Sequence, residues 1–321
     1  MKEIIKKVPL QIGGLALALA SLGTLIAQWV PILKPLCGIL SLILLLALVL
    51  KTVLYPKDIQ RDIKKSMIAA VIPISFIAIA VLDTYIANIF PVIAKYIWLL
   101  ALATMLYLLV WFIFKFVINN FKIKDVYTSW YIPFVGLCVM AWISPVFNMS
   151  KVGYWLFWIG FITNIIVSIL AFYRHFKFET PESAKPMFAI FPSPFASTVA
   201  AYLAVVKGEP NLLFVVFLIT ISQILFVITI KKLPSFLKKP FYPSWVGLTF
   251  PFLITSSMLR IGIKLLRNHG YQIPRLIDLI YSAEIIFATV MVVYVFGHYC
   301  KFLLQEEVKK PVKFISQIKV K

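Results

Sequence analysis

Charged residues are scarce in this chain, and acidic residues are the scarcest. Only 14% of the residues are charged, whereas 62% are hydrophobic, and 12 Asp and Glu residues stand against 32 Lys and Arg residues. A soluble globular domain has about half apolar residues and about a quarter charged ones. The mean hydropathy of +0.96 therefore excludes a soluble globular domain and predicts a polytopic membrane protein.

Cysteine and histidine are also few. Cys37, Cys138 and Cys300 are far apart in the chain, which argues against a disulfide framework or a thiolate metal cluster. The three histidines have no ligand-like spacing, and no Ser–His pair is indicated. We therefore predict no metal, no cofactor and no enzymatic activity.

Ten uncharged or nearly uncharged segments are long enough to cross a bilayer as helices. Several of the loops between them are very short, so sequential helices are expected to be antiparallel neighbours. We predict one all-α transmembrane domain over residues 1–321, built from five helical hairpins. The predicted spans are approximately 8–29, 36–55, 66–87, 92–114, 128–147, 152–173, 187–206, 211–230, 243–264 and 276–304.

The net charge of +20 is explained more economically by topology and anionic lipids than by nucleic acid. With ten spans, 24 Lys and Arg residues fall on the side of the N-terminus and 8 on the other side. The positive-inside rule then predicts that both termini are cytoplasmic. No cleavable signal peptide is evident. The expected location is the cell's inner (plasma) membrane.

Prolines recur at a fixed interval along the chain. They lie within or at the mouth of every odd-numbered span. The seventh span has two of them, and when the first of these, Pro192, is counted, the intervals are 64, 60, 59 and 59 residues. The even-numbered spans have no interior proline. A fixed period indicates a repeated unit, here one kinked and one straight helix, and five units could gather the kinked helices around a central pore. The prolines are Pro9, Pro73, Pro133, Pro192 with Pro194, and Pro251.

The most informative stretch is Ser244–Leu253, in the ninth span. Pro251 lacks a backbone donor and crowds the carbonyl of Gly247, so the helix is expected to bend there. Irregular backbone at membrane depth is tolerated where it lines a cavity. Phe250 is therefore a candidate pore-wall residue, and the alternative is that it only packs.

Acidic residues at membrane depth are few. Asp83 lies near the end of the third span and Glu284 about two turns into the tenth. We predict a structural ion pair between Arg260 and Glu284, which would stabilise the last hairpin. The odd spans carry no cluster of carboxylates, and a proton-driven carrier generally needs an acid or histidine relay. That absence favours passive conduction.

The segment from Trp245 to Pro251, Trp-Val-Gly-Leu-Thr-Phe-Pro, resembles the ninth-helix signature of the tellurite-resistance/dicarboxylate transporter family, which includes bacterial TehA and the plant slow anion channels. Further matches cover nearly the whole chain. They are Lys185-Pro186 with Pro194 and Ala200-Ala201-Tyr202 in the seventh span, Pro133 to Gly136 in the fifth, and Pro9 with Gly14 in the first.

The resemblance implies a homotrimer in which each protomer has its own pore, lined by the kinked odd helices. It also implies that Phe250 blocks the pore and that the cargo is a small anion such as chloride, nitrate, a dicarboxylate or another oxyanion. Three positions depart from the pattern: Gln11 and Ala18 replace glycines, and Leu137 replaces an asparagine. The first two leave the pore width near the first helix open.

Several readings remain open on the sequence alone. Gly14, Gly136 and Gly247 are candidate pore-lining small residues, since glycine allows close approach, but small residues also pack helices together. Lysines beside the ninth span could draw anions to the pore mouth or only set topology. A gated anion channel is predicted, and the alternative is a carrier that exports a dicarboxylate, sulfite or a tellurite-related oxyanion.

Overall fold

The computed structural model describes residues 2–305, and the end of the basic C-terminal tail, 306–321, lies outside the described residues. The described chain is helical. Ten principal helices follow one another, here numbered α1 to α10. They are α1 Ile12–Ile26, α2 Leu33–Leu54, α3 Ile74–Asp83, α4 Pro91–Phe112, α5 Tyr131–Ile143, α6 Ser150–Lys177, α7 Ser193–Val205, α8 Leu212–Leu237, α9 Phe250–Asn268 and α10 Arg275–Leu304.

The odd and even spans differ sharply in burial. In the third, fifth, seventh and ninth spans, 78–83% of the most apolar stretch is buried inside the protein. In the five even spans, only 33–39% of the corresponding stretch is buried. Helix α1 belongs with the buried set, because nearly all of its first three turns is inaccessible. We therefore call α1, α3, α5, α7 and α9 the inner helices and the other five the outer helices. The outer helices present long apolar faces, as a bilayer requires.

The inner helices form a closed ring. Each contacts the next, α1 with α3, α3 with α5, α5 with α7 and α7 with α9, and α9 returns to α1. Each outer helix packs on the inner helix that precedes it, which gives five hairpins. The predicted all-α polytopic membrane architecture is therefore confirmed, with the proline-bearing spans gathered around one axis.

Three inner spans, the third, the seventh and the ninth, are broken, and a regular α-helix occupies only the part after the break; α1 and α5 begin close to the starts of their spans. The seventh span begins as the 3-10 segment Glu182–Ile190, and the ninth as the 3-10 segment Pro243–Leu248. The third span begins with the single turn Ser66–Ala69. Pro73 precedes α3 directly, while Pro194 and Pro251 sit in the first turn of α7 and α9. A proline at a helix start sacrifices no hydrogen bond.

Two features differ from the sequence expectation. Within residues 2–305, nine segments are long and apolar enough to cross a membrane, whereas α1 has only 15 residues, because the chain turns at Leu10 and Gln11 before the helix begins. Helix α8 continues to Leu237, past the predicted end at residue 230, and so contains Pro234. An even span therefore does hold an interior proline, in its last turns, where little helix remains to be disrupted.

Helices α5 and α6 pack closely through glycines of α6. A Cβ built at Gly160 would lie 2.7 Å from Cys138 Sγ and 3.2 Å from the Cys138 backbone nitrogen. Gly153, seven residues earlier and on the same helix face, meets Ser144 in the same way. Small residues bring membrane helices into close contact, which gives dispersion energy where no hydrophobic effect acts between helices.

We expect Gly160→Ala to lower the free energy of unfolding by about 1–3 kcal/mol, because the added methyl group overpacks this contact. Gly297→Ala in α10 is the matched control, since a Cβ there meets nothing within 4 Å. That control should be neutral or stabilising by about 0.5–1 kcal/mol, the usual gain of alanine over glycine in a helix. Thermal unfolding of the two purified variants would decide it, and equal melting temperatures would contradict the packing role.

Candidate functional site

A small central cavity lies inside the ring of inner helices. Its volume is about 40 Å³, and its lining residues come from all five odd-numbered spans. A water needs about 10–15 Å³ by this measure, so roughly three waters would fill it. Five of the residues singled out from the sequence line it: Gly14, Gly136, Gly247, Phe250 and Pro251.

A wider vestibule of about 440 Å³ lies toward the ends of the inner helices. Residues of α1, α3, α5 and α9 line it, including Thr24, Thr84 and Ser257. Phe250 lines both the vestibule and the central cavity. The phenyl ring of Phe250 therefore lies at the boundary between the two spaces, and its side chain is only 7% exposed.

The backbone fixes the position of Phe250. The 3-10 segment Pro243–Leu248 ends at Thr249, whose φ of −117° and ψ of −92° lie outside the helical region, and α9 then begins at Phe250. The hydroxyl of Thr249 donates to the carbonyl of Val246 at 2.6 Å, and the amide of Phe252 donates to the Thr249 carbonyl at 3.0 Å. Pro251 restricts the next φ angle. The ring is thus attached to a bend that hydrogen bonds hold in place.

The three candidate glycines lie where the inner segments meet. They line the central cavity, and each is also a point of close approach. A Cβ at Gly14 would come within 2.8 Å of Val246, and one at Gly136 within 2.6 Å of Ile77. At Gly247 the obstacles are backbone atoms, Met187 Cα and the Pro186 carbonyl oxygen, both at 3.2 Å. Their lack of a side chain therefore lets the inner segments approach one another beside the cavity.

The remaining candidate prolines do not line the central cavity. Pro9 borders a separate cleft of about 710 Å³ on the side of the N-terminus. Pro73, Pro133 and Pro194 lie at or near the starts of their α-helices. Pro251 alone, of the five residues predicted as pore kinks, is found among the lining residues of the central cavity. The other four prolines can affect the lumen only through the path that they impose on the backbone.

Serine and threonine hydroxyls satisfy the carbonyls near these breaks. Ser222 of the outer helix α8 donates to the Pro192 carbonyl at 2.9 Å, and Thr128 donates to the Met187 carbonyl at 2.8 Å. Ser193 donates to the Ile190 carbonyl at 3.0 Å. Hydrocarbon offers no partner for such groups, so protein side chains must supply one. These carbonyls are therefore engaged in hydrogen bonds within the protein.

The inner helices also share an orientation. Each begins at, or within two residues of, a residue that lines the central cavity, for example Gly14 in α1, Ile74 in α3, Tyr131 in α5, Ser193 in α7 and Phe250 in α9. A helix N-terminus carries the positive end of its dipole. The central cavity thus lies beside the starts of five helices, and no ionised side chain is among the residues found to line it.

Arg260 and Glu284 do not pair with each other in the structure, and each has a different partner. The guanidinium of Arg260 stacks over Trp29, with Cζ 5.0 Å from the ring centroid. Glu284 Oε2 accepts a hydrogen bond from Gln223 Nε2 at 3.2 Å. The predicted Arg260–Glu284 pair is absent from the ion pairs formed within residues 2–305. Glu284 is buried against α8, whereas Arg260 is partly exposed, so the two groups face different surroundings.

The last hairpin has an ion pair elsewhere, between Arg267 and Asp278 at 2.7 Å. Both side chains are partly exposed, near the loop that joins α9 to α10, where the cost of removing charge from water is small. Sequence reasoning missed this pair because it considered only charges at membrane depth. The positions of the two residues at the facing ends of α9 and α10 could have indicated it.

The family comparison agrees with this geometry. The model of the SLAC1 family, described as voltage-dependent anion channel, matches residues 7–300. The chain belongs to this family. A comparison with curated proteins gives no significant match. As a SLAC1-family member the protein is a multi-pass membrane protein with a role in anion transport, and the match covers all ten principal helices apart from the last turn of α10.

We expect Ser222→Ala to destabilise this SLAC1-family protein by about 0.5–1.5 kcal/mol, because the buried Pro192 carbonyl loses its hydroxyl donor and keeps only the longer bond from the Ala196 amide, at 3.4 Å. Ser282→Ala is the control, since the Ser282 hydroxyl bonds only to the Asp278 carbonyl of its own helix. Thermal unfolding in detergent compares the two. Equal melting temperatures for both variants would show that the Pro192 carbonyl does not depend on Ser222.

Proposed function

We propose that this protein is a gated anion channel, in which ions move passively along the axis of the inner helices and the Phe250 side chain closes the path. The observation that carries the proposal is that Phe250 lines both the central cavity and the vestibule. An aromatic ring at the junction of two spaces obstructs passage between them. Rotation of that ring would join them.

The apolar surroundings support closure by dewetting. The central cavity is lined mainly by aliphatic side chains, among them Leu17, Val71, Ile77 and Val139. Water is held poorly in a narrow apolar constriction, so such a segment resists ions even before it is fully closed. Movement of the Phe250 ring would then widen and hydrate the path together.

Anion preference has a source in the backbone. The helix N-termini beside the central cavity favour negative charge, but only weakly, because several of their first amides already donate to carbonyls of the preceding segment. The nearby carbonyls that bond to Ser222, Thr128 and Ser193 are engaged and oppose anions less. This source complements the basic loops, which concentrate anions near the mouth by their long-range field.

A carrier for a dicarboxylate, sulfite or a tellurite-related oxyanion is the competing function. A carrier needs a site that binds its substrate, and a divalent anion is bound most strongly by fixed cations. The central cavity offers none among its lining residues. Flux that saturates and is stimulated by substrate on the opposite side would favour the carrier. The same apolar lining gives no support to an enzymatic role.

We further propose an inner-membrane location, with both termini in the cytoplasm, and a homotrimer with one pore in each protomer. The charge asymmetry of the sequence supports the orientation. The trimer follows from the family resemblance alone. Chloride, nitrate, dicarboxylates and other small oxyanions are the candidate cargo.

Replacement of Phe250 by alanine should raise anion conductance at least about tenfold, the factor given by lowering a barrier by about 1.4 kcal/mol. The measurement is electrical recording from purified protein in planar bilayers. Phe252→Ala is the control, because Phe252 packs against Phe226 and Phe287, away from the central cavity. It should lower thermal stability and leave conductance low. Correctly folded Phe250→Ala protein with an unchanged current would refute the assignment.

Among monovalent anions we expect nitrate to permeate better than chloride. A path without ionised side chains compensates little of the free-energy cost of removing water from an ion. The ion with the lower dehydration cost therefore passes more easily. Reversal potentials of Phe250→Ala under opposed chloride and nitrate gradients give the permeability ratio. A ratio in favour of chloride would contradict a lumen of this chemistry.

A further inference from the structure

A cavity of about 390 Å³ lies outside the ring, on the side of the N-terminus. We call it the lateral cavity. It is bordered by the start of the fifth span, the end of α6, the 3-10 segment Glu182–Ile190 and the last turns of α8. The basic residues Arg174, Lys185 and Lys232 line it, and Glu179 is the one carboxylate among its lining residues in the described chain. The excess of positive charge distinguishes it from the central cavity.

Arg174 is a buried cation held by neutral groups. Its side chain is fixed by three hydrogen bonds: Nε donates to the Lys124 carbonyl at 3.1 Å, Nη1 to Thr180 Oγ1 at 2.6 Å and Nη2 to the Glu179 carbonyl at 2.9 Å. The residue is 3% exposed and stacks over Tyr127. Within residues 2–305 it forms no ion pair with a carboxylate. Tyr127 and the Asp125 carboxylate act on it as well, but a cation this deeply buried and without an ion pair in the described chain favours an incoming anion.

The other two cations approach the cavity from separate elements. Lys232 extends from α8, with Nζ 3.9 Å from the centroid of the Phe188 ring. Lys185 is exposed on the 3-10 segment. Arginine and lysine converging from different elements suit the several oxygens of a phosphate group. The volume exceeds that of a bare phosphate ion and admits an organic portion beside Phe188 and Phe236.

We propose that the lateral cavity binds the phosphate group of a phosphate ester, and that the occupied site biases the position of Phe250. The ester is either the headgroup of a lipid in the adjacent leaflet or a soluble molecule. The second part of this proposal rests on the role of Phe250 given above, and the first part does not.

The 3-10 segment Glu182–Ile190 connects the two sites. It presents Lys185 and Phe188 to the lateral cavity and Met187 and Ile190 to the central cavity. With about three residues per turn, side chains three positions apart lie on the same face, so Lys185 and Phe188 share one face, and Met187 and Ile190 share another.

Its central-cavity side lies against the segment that carries the gate. Met187 Cα and the Pro186 carbonyl oxygen are each 3.2 Å from where a Cβ of Gly247 would be, three residues before Phe250. Ser244 donates to the Ser183 carbonyl, and Tyr242 donates to Glu182 at 2.9 Å. A ligand that draws Lys185 and Lys232 together therefore acts on a segment bonded to the one that positions Phe250.

Binding is tested on the full-length protein in nanodiscs. In one arm the discs contain phosphatidylcholine only, and glycerol 3-phosphate is titrated by calorimetry. In the other arm the discs contain phosphatidic acid, and the rise in melting temperature over phosphatidylcholine discs is measured. Lys232→Gln should weaken glycerol 3-phosphate binding about tenfold, or abolish most of the lipid-induced shift, because one charge-assisted contact is lost. Lys231→Gln, its exposed neighbour outside the cavity, should change neither.

A response in the first arm assigns a soluble ester and a response in the second alone assigns a lipid; either supports the site. The binding proposal is overturned if neither arm gives a saturable response, or if Lys231→Gln and Lys232→Gln lose binding equally.

Bilayer currents test the coupling: the ligand should change wild-type current severalfold and leave Phe250→Ala current unchanged. Binding without any change in wild-type current overturns the coupling. If Phe250→Ala itself fails to conduct, the gate assignment fails while the binding titration still stands.

Discussion

A bilayer offers no hydrogen-bond partner to the peptide backbone, and this constraint governs the whole architecture. Unbroken helices satisfy it by themselves, which is why the outer helices can face lipid along most of their length. Three of the inner spans are broken, and each break leaves backbone groups that need other partners. A closed ring keeps these breaks away from lipid, and hydroxyls such as that of Ser222 complete the bonding at the Pro192 carbonyl. The ring therefore protects the irregular backbone as well as enclosing a lumen.

The breaks also determine the electrostatics of the lumen. Every inner α-helix begins beside the central cavity, and the start of a helix is the positive end of its dipole. A proline bend considered alone suggests a freed carbonyl and a negative dipole end. In the structure the Pro192 and Ile190 carbonyls, which precede α7 or its first turn, accept bonds from hydroxyls and so present less negative charge to the cavity. Such an arrangement favours anions without a buried lysine or arginine and its desolvation cost.

Much of the fold follows from the sequence. The apolar runs and the 59- to 64-residue proline spacing predict five kinked and five straight helices, because a proline has the same geometric effect wherever it occurs. Phe250 could be singled out by its position before Pro251. The short α1 and the extension of α8 through Pro234 were not predictable, since tertiary packing sets helix ends. Arg260 and Glu284 failed to pair for a related reason: a shared hairpin does not fix the rotation of each helix, and that rotation turned Glu284 toward Gln223.

The two spaces on either side of the Phe250 ring differ about tenfold in volume, about 440 Å³ against about 40 Å³. In the channel proposed above, an ion that arrived through the vestibule would reach the ring with most of its hydration shell and would shed it in one short step. An ion from the narrow side would already have lost most of its water. A conduit of this shape has an energy profile that is skewed along its axis, so an applied voltage of either sign acts on a different slope. Rectification of the current can thus arise from the shape of the lumen, without a charged voltage sensor.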